Sequence, residues 1–388
     1  MKIITSSSAL ANICEEYSAA PYITVDTEFL RERTYWSQLC LVQIARPGGD
    51  DDAVLIDPLA DGIDLQPLYD LMVDESVVKV FHAARQDVEI FWHMGKVIPT
   101  PLFDTQVAAM VCGYGEQVGY ETLVRKVVKG SIDKSSRFTD WSRRPLSAKQ
   151  KTYALADVTH LRGIYEVLRD QIEAAGREHW VAEEMGVLIS PETYNADPDN
   201  AWRRVKARSA TPRLLGVIRE VARWREATAQ SRDVPRSRIL KDDALLEIAS
   251  ARPKTVEDLS QLRLLQREAR KPETAKQIVA AVAEGVACPK KDLPQPPDQP
   301  RRREGSGAIS ELLRVFLKAR AEEMGVAAKL IAPSADLDAL AGEDDPDLPV
   351  LKGWRREVFG ADALRLKDGK VGLVARPDGV SLFELPAE

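Results

Sequence analysis

The chain has 388 residues, of which 44% are hydrophobic and 29% are charged, a composition typical of a globular protein with two or three domains. No apolar run approaches the ~18–20 residues needed to cross a bilayer, and the N-terminal segment lacks the apolar core of a signal peptide. Four widely spaced cysteines argue against a disulfide framework or a zinc site, so we expect a cytoplasmic protein.

The net charge of −6 does not by itself indicate a nucleic-acid-binding protein, but its distribution is uneven. Residues 201–255 contain 14 Lys/Arg against 6 Asp/Glu, whereas residues 306–388 contain 11 Lys/Arg against 15 Asp/Glu. The basic middle segment is either a solvated helical surface or a surface for binding phosphate groups.

In chain order, the first region predicts an α/β domain over residues 1–195. Short apolar runs rich in β-branched residues predict strands at 22–26, 39–45, 53–56 and 77–81. Amphipathic stretches predict helices at 64–73, 84–94 and 104–112. The segment 46–52, RPGGDDD, is typical of a turn between two antiparallel strands, so we expect a mixed sheet flanked by helices.

The remainder of the chain predicts two small helical domains. The first covers 202–286 and begins a helix at Thr211, with proline at the first helical position. A proline-rich linker at 287–306 separates it from a second, divergent domain at 307–388. Residues 233–249 resemble residues 325–341 at an offset of 92, which indicates a degraded repeat or a chance similarity between amphipathic helices.

Four carboxylates and a tyrosine stand out in the first domain. Asp26 and Glu28 end the first predicted strand two residues apart, so both side chains point to one face. Asp87 lies in the first turn of a helix that follows another strand, and Tyr153 and Asp157 share one face of a later helix. Taken singly, each has an ordinary interpretation, such as a solvated strand end or an exposed helical aspartate.

In this order and spacing, the residues resemble the tyrosine subclass of the DEDD 3′–5′ exonucleases. The likeness to ribonuclease D extends over nearly the whole chain and rests on the segments VDTEFLRERTYWSQLCLVQIA, FHAARQDVEIF, FDTQVAAMVCGYG and DKSSRFTDWSRRPLSAKQKTYALADV. The resemblance implies a ribonuclease H-like α/β exonuclease domain followed by two all-α HRDC-like domains, the first more clearly than the second.

The resemblance also implies two divalent metal ions, Mg²⁺ or Mn²⁺, which prefer oxygen ligands. By the family pattern, Asp26 would bridge both ions, Glu28 and Asp157 would complete the site that holds the attacking water, and Asp87 would serve the second ion. Tyr153, whose ordinary pKa is near 10, is expected to orient the attacking water rather than to act as a strong base.

Candidate substrate contacts are spread over both the first domain and the basic helical domain. Phe29 and Leu30 could pack against the terminal base, since stacking tolerates any sequence. Further candidates are Gln43, His82, Arg137, Arg203 and Arg204. For Gln43 and His82, a local structural role at a sheet end is an equal alternative. Asp104, in the FDTQ segment, is expected to cap a helix.

The expected activity is therefore that of a 3′–5′ exoribonuclease that trims tRNA precursors and other structured RNAs with 3′ overhangs, releasing nucleoside 5′-monophosphates. The alternative is a DNA 3′–5′ exonuclease of the Werner or proofreading type, because the same metal site serves both and selection for RNA depends on contacts to the 2′-hydroxyl. A silent RNA-binding scaffold would lack one of the carboxylates. We expect a monomer with no membrane association and no obligate protein partner.

Overall fold

The computed structural model describes residues 2–133, 139–207, 210–296 and 305–386. Its contacts divide the chain into two compact units. Unit 1 comprises 1–28, 40–193 and 300–388, and unit 2 comprises 29–39 and 194–299. Hence the C-terminal region groups with the α/β domain, and a short internal segment of that domain groups with the basic helical region. Within the described ranges, no helix is long and apolar enough to cross a membrane.

Unit 1 contains a six-stranded sheet with helices on its faces. The strands are β1 (Lys2–Ile4), β2 (Tyr22–Leu30), β3 (Gln38–Ala45), β4 (Ala53–Ile56), β5 (Val78–Phe81) and β6 (Leu102–Asp104). The helices are α1 (Ser7–Ser18), α2 (Gln66–Val73), α3 (Arg85–Gly95), α4 (Thr105–Val111), α5 (Tyr120–Leu123), α6 (Ala148–Ala174) and α7 (Glu178–Leu188). The mixed α/β architecture predicted from the sequence is confirmed.

The order of strands places β2 in the interior of the sheet. The order is β1-β4-β3-β2-β5-β6, with β2 parallel to β5 and β3 antiparallel to β4. The turn between β3 and β4 is the predicted RPGGDDD segment. The sequence analysis missed β1 and β6, since a strand of only three residues carries almost no periodic signal. It also missed helices α1 and α7.

Helix α6 packs across the face of the sheet that carries Thr24. The Thr24 hydroxyl donates to the Val158 carbonyl oxygen at 2.8 Å, and the rings of Tyr22 and Tyr165 lie 4.5 Å apart. These contacts hold the middle of α6 over β2. Asp157, the neighbour of Val158, is therefore held close to the end of this strand.

The C-terminal region adds further helices and a hairpin to unit 1. Its elements are α13 (Ser306–Met324), α14 (Ala328–Ile331), α15 (Ser334–Gly342), α16 (Gly353–Arg355), α17 (Ala361–Lys367), β7 (Val371–Arg376) and β8 (Gly379–Glu384), numbered after the helices of unit 2. The Trp354 ring stacks on Trp180 of α7 at 4.7 Å, and Arg355 pairs with Glu184 at 2.7 Å. The expectation of an all-α domain is wrong at its end, where β7 and β8 pair antiparallel.

Unit 2 is a helical unit with its own core. Its helices are α8 (Pro212–Ser231), α9 (Arg236–Ile239), α10 (Asp242–Ala251), α11 (Val256–Ser260) and α12 (Pro272–Ala287). The Thr211 hydroxyl accepts from the Leu214 backbone N–H at 3.3 Å, which confirms the predicted start of α8. The start of α9 precedes that of α14 by 92 residues, and α10 and α15 are offset by the same number. The matched order and spacing of these helices favours a repeat over chance similarity.

Candidate active site

Three carboxylates converge at the end of β2. One ligand oxygen from each of Asp26, Glu28 and Asp157 lies within 4.8 Å of the others. The alternation of side chains along β2 puts Asp26 and Glu28 on one face, and α6 brings Asp157 to the same face. The three residues are far apart in sequence but form one group of oxygen ligands.

The electrostatics of this group are unfavourable without a cation. Burial, followed by the nearby charges of Asp157, Asp87 and Glu28, raises the pKa of Asp26 well above its ordinary value. Carboxylates that are close together and shielded from water are destabilising, because each loses hydration and each is repelled by the others. A divalent cation between the oxygens would remove this penalty, and an all-oxygen ligand set is the one that hard cations prefer.

Asp87 lies beside this group, in the first turn of α3. The Thr27 hydroxyl donates to its carboxylate, and burial raises the pKa of Asp87 to about 7. Among the described residues, the group within 4.8 Å comprises the other three carboxylates and not Asp87. The charge of Asp87 does help to raise the pKa of Asp26.

The turn that leads into α3 is held by Asp104, which confirms that this aspartate caps α4. Its carboxylate accepts from the N–H groups of Gln106 at 2.7 Å, of Ala83 at 3.0 Å and of Ala84 at 2.9 Å. Ala83 has φ of +60°, a left-handed conformation that is unusual for a residue other than glycine. One carboxylate therefore fixes the strained turn that places Asp87.

Tyr153 lies on the wall of a cleft of about 470 Å³, together with Asp26 and Asp157. It precedes Asp157 by one turn of α6, and its ring lies 6.2 Å from that of Trp141. The predicted pairing of this tyrosine with the acidic group is therefore present in the fold. The described residues that line the cleft also include Glu121, Tyr120 and His82, and none of them is Lys or Arg.

Tyr120 and Gln106 line the same cleft and were missed by the sequence analysis. The Tyr120 hydroxyl donates to the carbonyl oxygens of Asp157 at 2.5 Å and Ala156 at 3.2 Å, so it supports the backbone that carries a metal-ligand candidate. No local pattern marks either residue, because the cleft is formed by helices α4, α5 and α6, which meet only in the folded chain.

The predicted substrate contacts of the α/β domain have different environments. His82 lines the cleft, with Nδ1 3.0 Å from the Thr105 hydroxyl and Nε2 buried without a hydrogen-bond partner among the described residues; burial lowers the pKa of this ring. Gln43 is completely buried in β3, and neither atom of its side-chain amide has a hydrogen-bond partner among the described residues. Phe29 and Leu30 are half-buried at the end of β2, and Arg137 lies outside the described residues.

The two arginines predicted to bind phosphate groups also differ. Arg203 is exposed, and its guanidinium lies 5.5 Å from the centroid of the Trp202 ring. Arg204 donates to the buried carboxylate of Glu226 at 2.7 Å. Arg203 is thus available to a ligand, whereas Arg204 stabilises the helical unit.

Comparison with known proteins identifies the family. A 3′–5′ exonuclease family model matches residues 1–173, and an HRDC domain model matches residues 215–282. Ribonuclease D of Jannaschia sp. is 56% identical over 383 residues, covering 98% of this chain and 99% of that protein. The chain belongs to the ribonuclease D family. Ribonuclease D of Granulibacter bethesdensis is 51% identical over 96% of the chain and 93% of its own length.

A solved structure supports the same assignment at the level of the fold. Escherichia coli RNase D, described as an exoribonuclease involved in structured RNA processing, superimposes with a TM-score of 0.83 at 31% identity, over 95% of this chain and 98% of that chain. As a ribonuclease D, the protein is a 3′–5′ exoribonuclease that hydrolyses phosphodiester bonds. The exonuclease family implies divalent metal ions, and the carboxylate group supplies matching ligands.

Proposed function

We propose that this ribonuclease D trims the 3′ ends of tRNA precursors and other structured RNAs and releases nucleoside 5′-monophosphates. The observation that carries the proposal is the group formed by Asp26, Glu28 and Asp157, since Asp26 and Asp157 line a cleft that also contains Tyr153. Support for RNA as the substrate comes from the near full-length similarity to ribonucleases D. Cytoplasmic location and a monomeric state stay predictions from the sequence.

We propose Asp26, Glu28, Asp87 and Asp157 as the ligands of two divalent ions, Mg²⁺ or Mn²⁺. The raised pKa of Asp26 supports this assignment, because a cation would offset the like charges that surround it. Asp87 would have to exchange its contact with Thr27 for a ligand role, directly or through water. Bound cations would neutralise charge on the scissile phosphate and lower the pKa of the attacking water.

The protein groups have distinct tasks in this scheme. The carboxylates would hold the cations that position the reacting phosphate, and the Tyr153 hydroxyl would orient the attacking water by a hydrogen bond. Tyr120 holds the backbone of Asp157. Since the described cleft residues include acidic groups and no Lys or Arg, RNA phosphate would be repelled by the cleft until cations are bound.

We propose further substrate contacts for individual residues. Phe29 and Leu30 would contact the terminal base, His82 the terminal sugar or phosphate, and Arg203 a backbone phosphate. Support for RNA contacts by unit 2 comes from its HRDC domain, a nucleic-acid-binding domain that matches residues 215–282 and begins 12 residues after Arg203. Contacts of this kind position the strand without reading its sequence.

The test is a time course on 5′-labelled RNA and matched 5′-labelled DNA, each with a 3′ overhang, in Mg²⁺, Mn²⁺ or EDTA. Native protein is compared with Asp26→Asn and with Asp61→Asn, which removes an exposed carboxylate elsewhere. We expect metal-dependent shortening of RNA from its 3′ end by the native protein and by Asp61→Asn, and none by Asp26→Asn.

Preferential shortening of DNA would replace the proposal with the DNA exonuclease alternative. Binding of RNA without shortening in either metal would contradict the assigned active site.

A further inference from the structure

The segment that follows the carboxylates of β2 belongs to the helical unit. The chain passes Asp26 and Glu28 in unit 1, enters unit 2 at Phe29 and returns to unit 1 at Cys40. Residues 31–37 connect β2 to β3, and we call them the β2–β3 loop. The proposed contacts to the terminal base, Phe29 and Leu30, therefore directly precede a loop that packs with the helical unit.

The loop is anchored first by a buried tyrosine. Tyr35 is only 9% exposed and lies in the apolar core of unit 2. Its hydroxyl donates to the carboxylate of Glu226 and accepts from the Gln230 side-chain amide at 3.2 Å. The Tyr35 and Trp36 rings also pack edge to face, 4.7 Å apart.

The partner of Tyr35 is a completely buried carboxylate on α8. Glu226 has no exposed side-chain surface, and two arginines compensate its charge: Arg204 at 2.7 Å and Arg236 at 3.7 Å. A buried charge that loses a partner is strongly destabilising. This carboxylate is therefore held in place, and it gives Tyr35 a fixed acceptor.

A second anchor holds the loop backbone. One oxygen of Asp233 accepts from the N–H groups of Tyr35 and Trp36, each at 3.0 Å. Asp233 itself follows α8 in a left-handed conformation, with φ of +47°. Residues 31–34 alone separate the end of β2 from the anchored pair, and Ser37 alone separates that pair from β3.

We propose that Tyr35, Glu226 and Asp233 are positioning residues of the exonuclease. They fix the path of the β2–β3 loop and thereby the end of β2, which carries Glu28, Phe29 and Leu30. The inference rests on the roles assigned to those three residues under the proposed function. Only residues 31–34 separate Tyr35 and Trp36 from the end of β2, so a displacement of these two residues would also displace the strand end. Misplacement of a reacting group by about 1 Å can reduce the rate ~10²-fold.

The central test compares two substitutions at one position. Asp233→Gly removes the acceptor but adopts a positive φ without strain, whereas Asp233→Asn keeps an acceptor oxygen and also tolerates that conformation. We expect Asp233→Gly to lower kcat on an RNA 3′ overhang roughly tenfold, with KM changed less than about threefold, and Asp233→Asn to restore kcat. Tyr35→Phe, which removes only the hydroxyl, should lower kcat in the same direction.

Asp242→Asn is the matched control for simple destabilisation of the helical unit. Asp242 pairs at 2.6 Å with Arg225, whose side chain is as deeply buried as those of Tyr35 and Glu226. Among the described residues, no hydrogen bond or ion pair joins Asp242 or Arg225 to the β2–β3 loop. All variants are assayed well below their unfolding temperatures. We expect Asp242→Asn to lower the unfolding temperature while kcat stays within about twofold of the native value.

Equal kcat values for Asp233→Gly and Asp233→Asn would overturn the inference, as would an equal loss of kcat in Asp242→Asn. Asp26→Asn is assayed alongside. Cleavage by Asp26→Asn would refute the proposed active site itself, whereas an inactive Asp26→Asn with unaffected anchor variants would refute the positioning role alone.

Discussion

Replacement of Asp26 by Asn should stabilise the metal-free protein while abolishing its activity. Ligand oxygens of the three carboxylates lie within 4.8 Å, a distance at which two unit charges repel by about 3.5 kcal/mol at an effective dielectric constant of ~20. Asp26 takes part in two of these pairs, so its ionisation in the absence of metal would be opposed by both repulsions. Protonation of the Asp26 carboxyl avoids this repulsion.

The cost of that proton sets an upper limit on the effect. Keeping a carboxyl with an ordinary pKa near 3.9 protonated at pH 7 costs about 4 kcal/mol, and at pH 5 about 1.5 kcal/mol. We therefore expect Asp26→Asn to raise the free energy of unfolding in EDTA by about 1–4 kcal/mol at pH 7, and by less at pH 5. For a domain of 150–250 residues, this corresponds to ~2–4 °C in Tm for each kcal/mol.

The direction of the pH dependence follows from the raised pKa of Asp26. Above about pH 4, and until the pH reaches the raised pKa of Asp26, the folded protein binds more protons at this site than the unfolded chain does. The native protein therefore loses stability relative to Asp26→Asn as the pH rises through this window. Mg²⁺ at 1,000 times its Kd should remove or reverse this advantage, because a ligand at that concentration stabilises the folded native protein by about 4.1 kcal/mol.

Differential scanning calorimetry at pH 5, 6, 7 and 8, in EDTA and in MgCl₂, measures these shifts. Asp61→Asn controls for the removal of a carboxylate from the exposed surface. The prediction is refuted if Asp26→Asn is no more stable than the native protein in EDTA at pH 7, or if its advantage does not shrink at pH 5. Either result would mean that other groups of the protein already compensate the charge of these carboxylates.

Three other predictions concern residues of unit 1. Burial lowers the pKa of Lys79 to about 8, so between about pH 8 and 10.5 the unfolded chain binds more protons at this side chain than the folded protein does. The free energy of unfolding of the native protein, relative to that of Lys79→Met, should therefore rise over this pH window in denaturant titrations. Arg144→Ala should destabilise by about 3 kcal/mol, because the guanidinium donates to both oxygens of the nearly buried Asp57 at 2.6 and 2.7 Å, and Asp57→Asn in the same chain should recover part of the loss in Tm. Tyr153→Phe should lower kcat about 10²-fold with little change in KM or Tm, and an unchanged kcat would refute the orienting role.

The sequence by itself determined much of the α/β domain and of the acidic group. The alternation along β2 put Asp26 and Glu28 on one face, and the helical spacing in α6 put Tyr153 above Asp157. Local patterns of this kind persist in the fold because they depend on backbone geometry over a few residues. The caps at Asp104 and Thr211 were predictable for the same reason.

Only the tertiary structure decided how these groups are supported. Tyr120 supports Asp157 from 37 residues away, and Tyr35 meets Glu226 across 191 residues. Arg204 was predicted from its basic surroundings to bind a phosphate group, and the fold also pairs its partly exposed guanidinium with that same buried glutamate. Charge and periodicity indicate which residues could bind a ligand, but the partner of each charged or polar group is set by contacts between distant segments, which a single sequence does not encode locally.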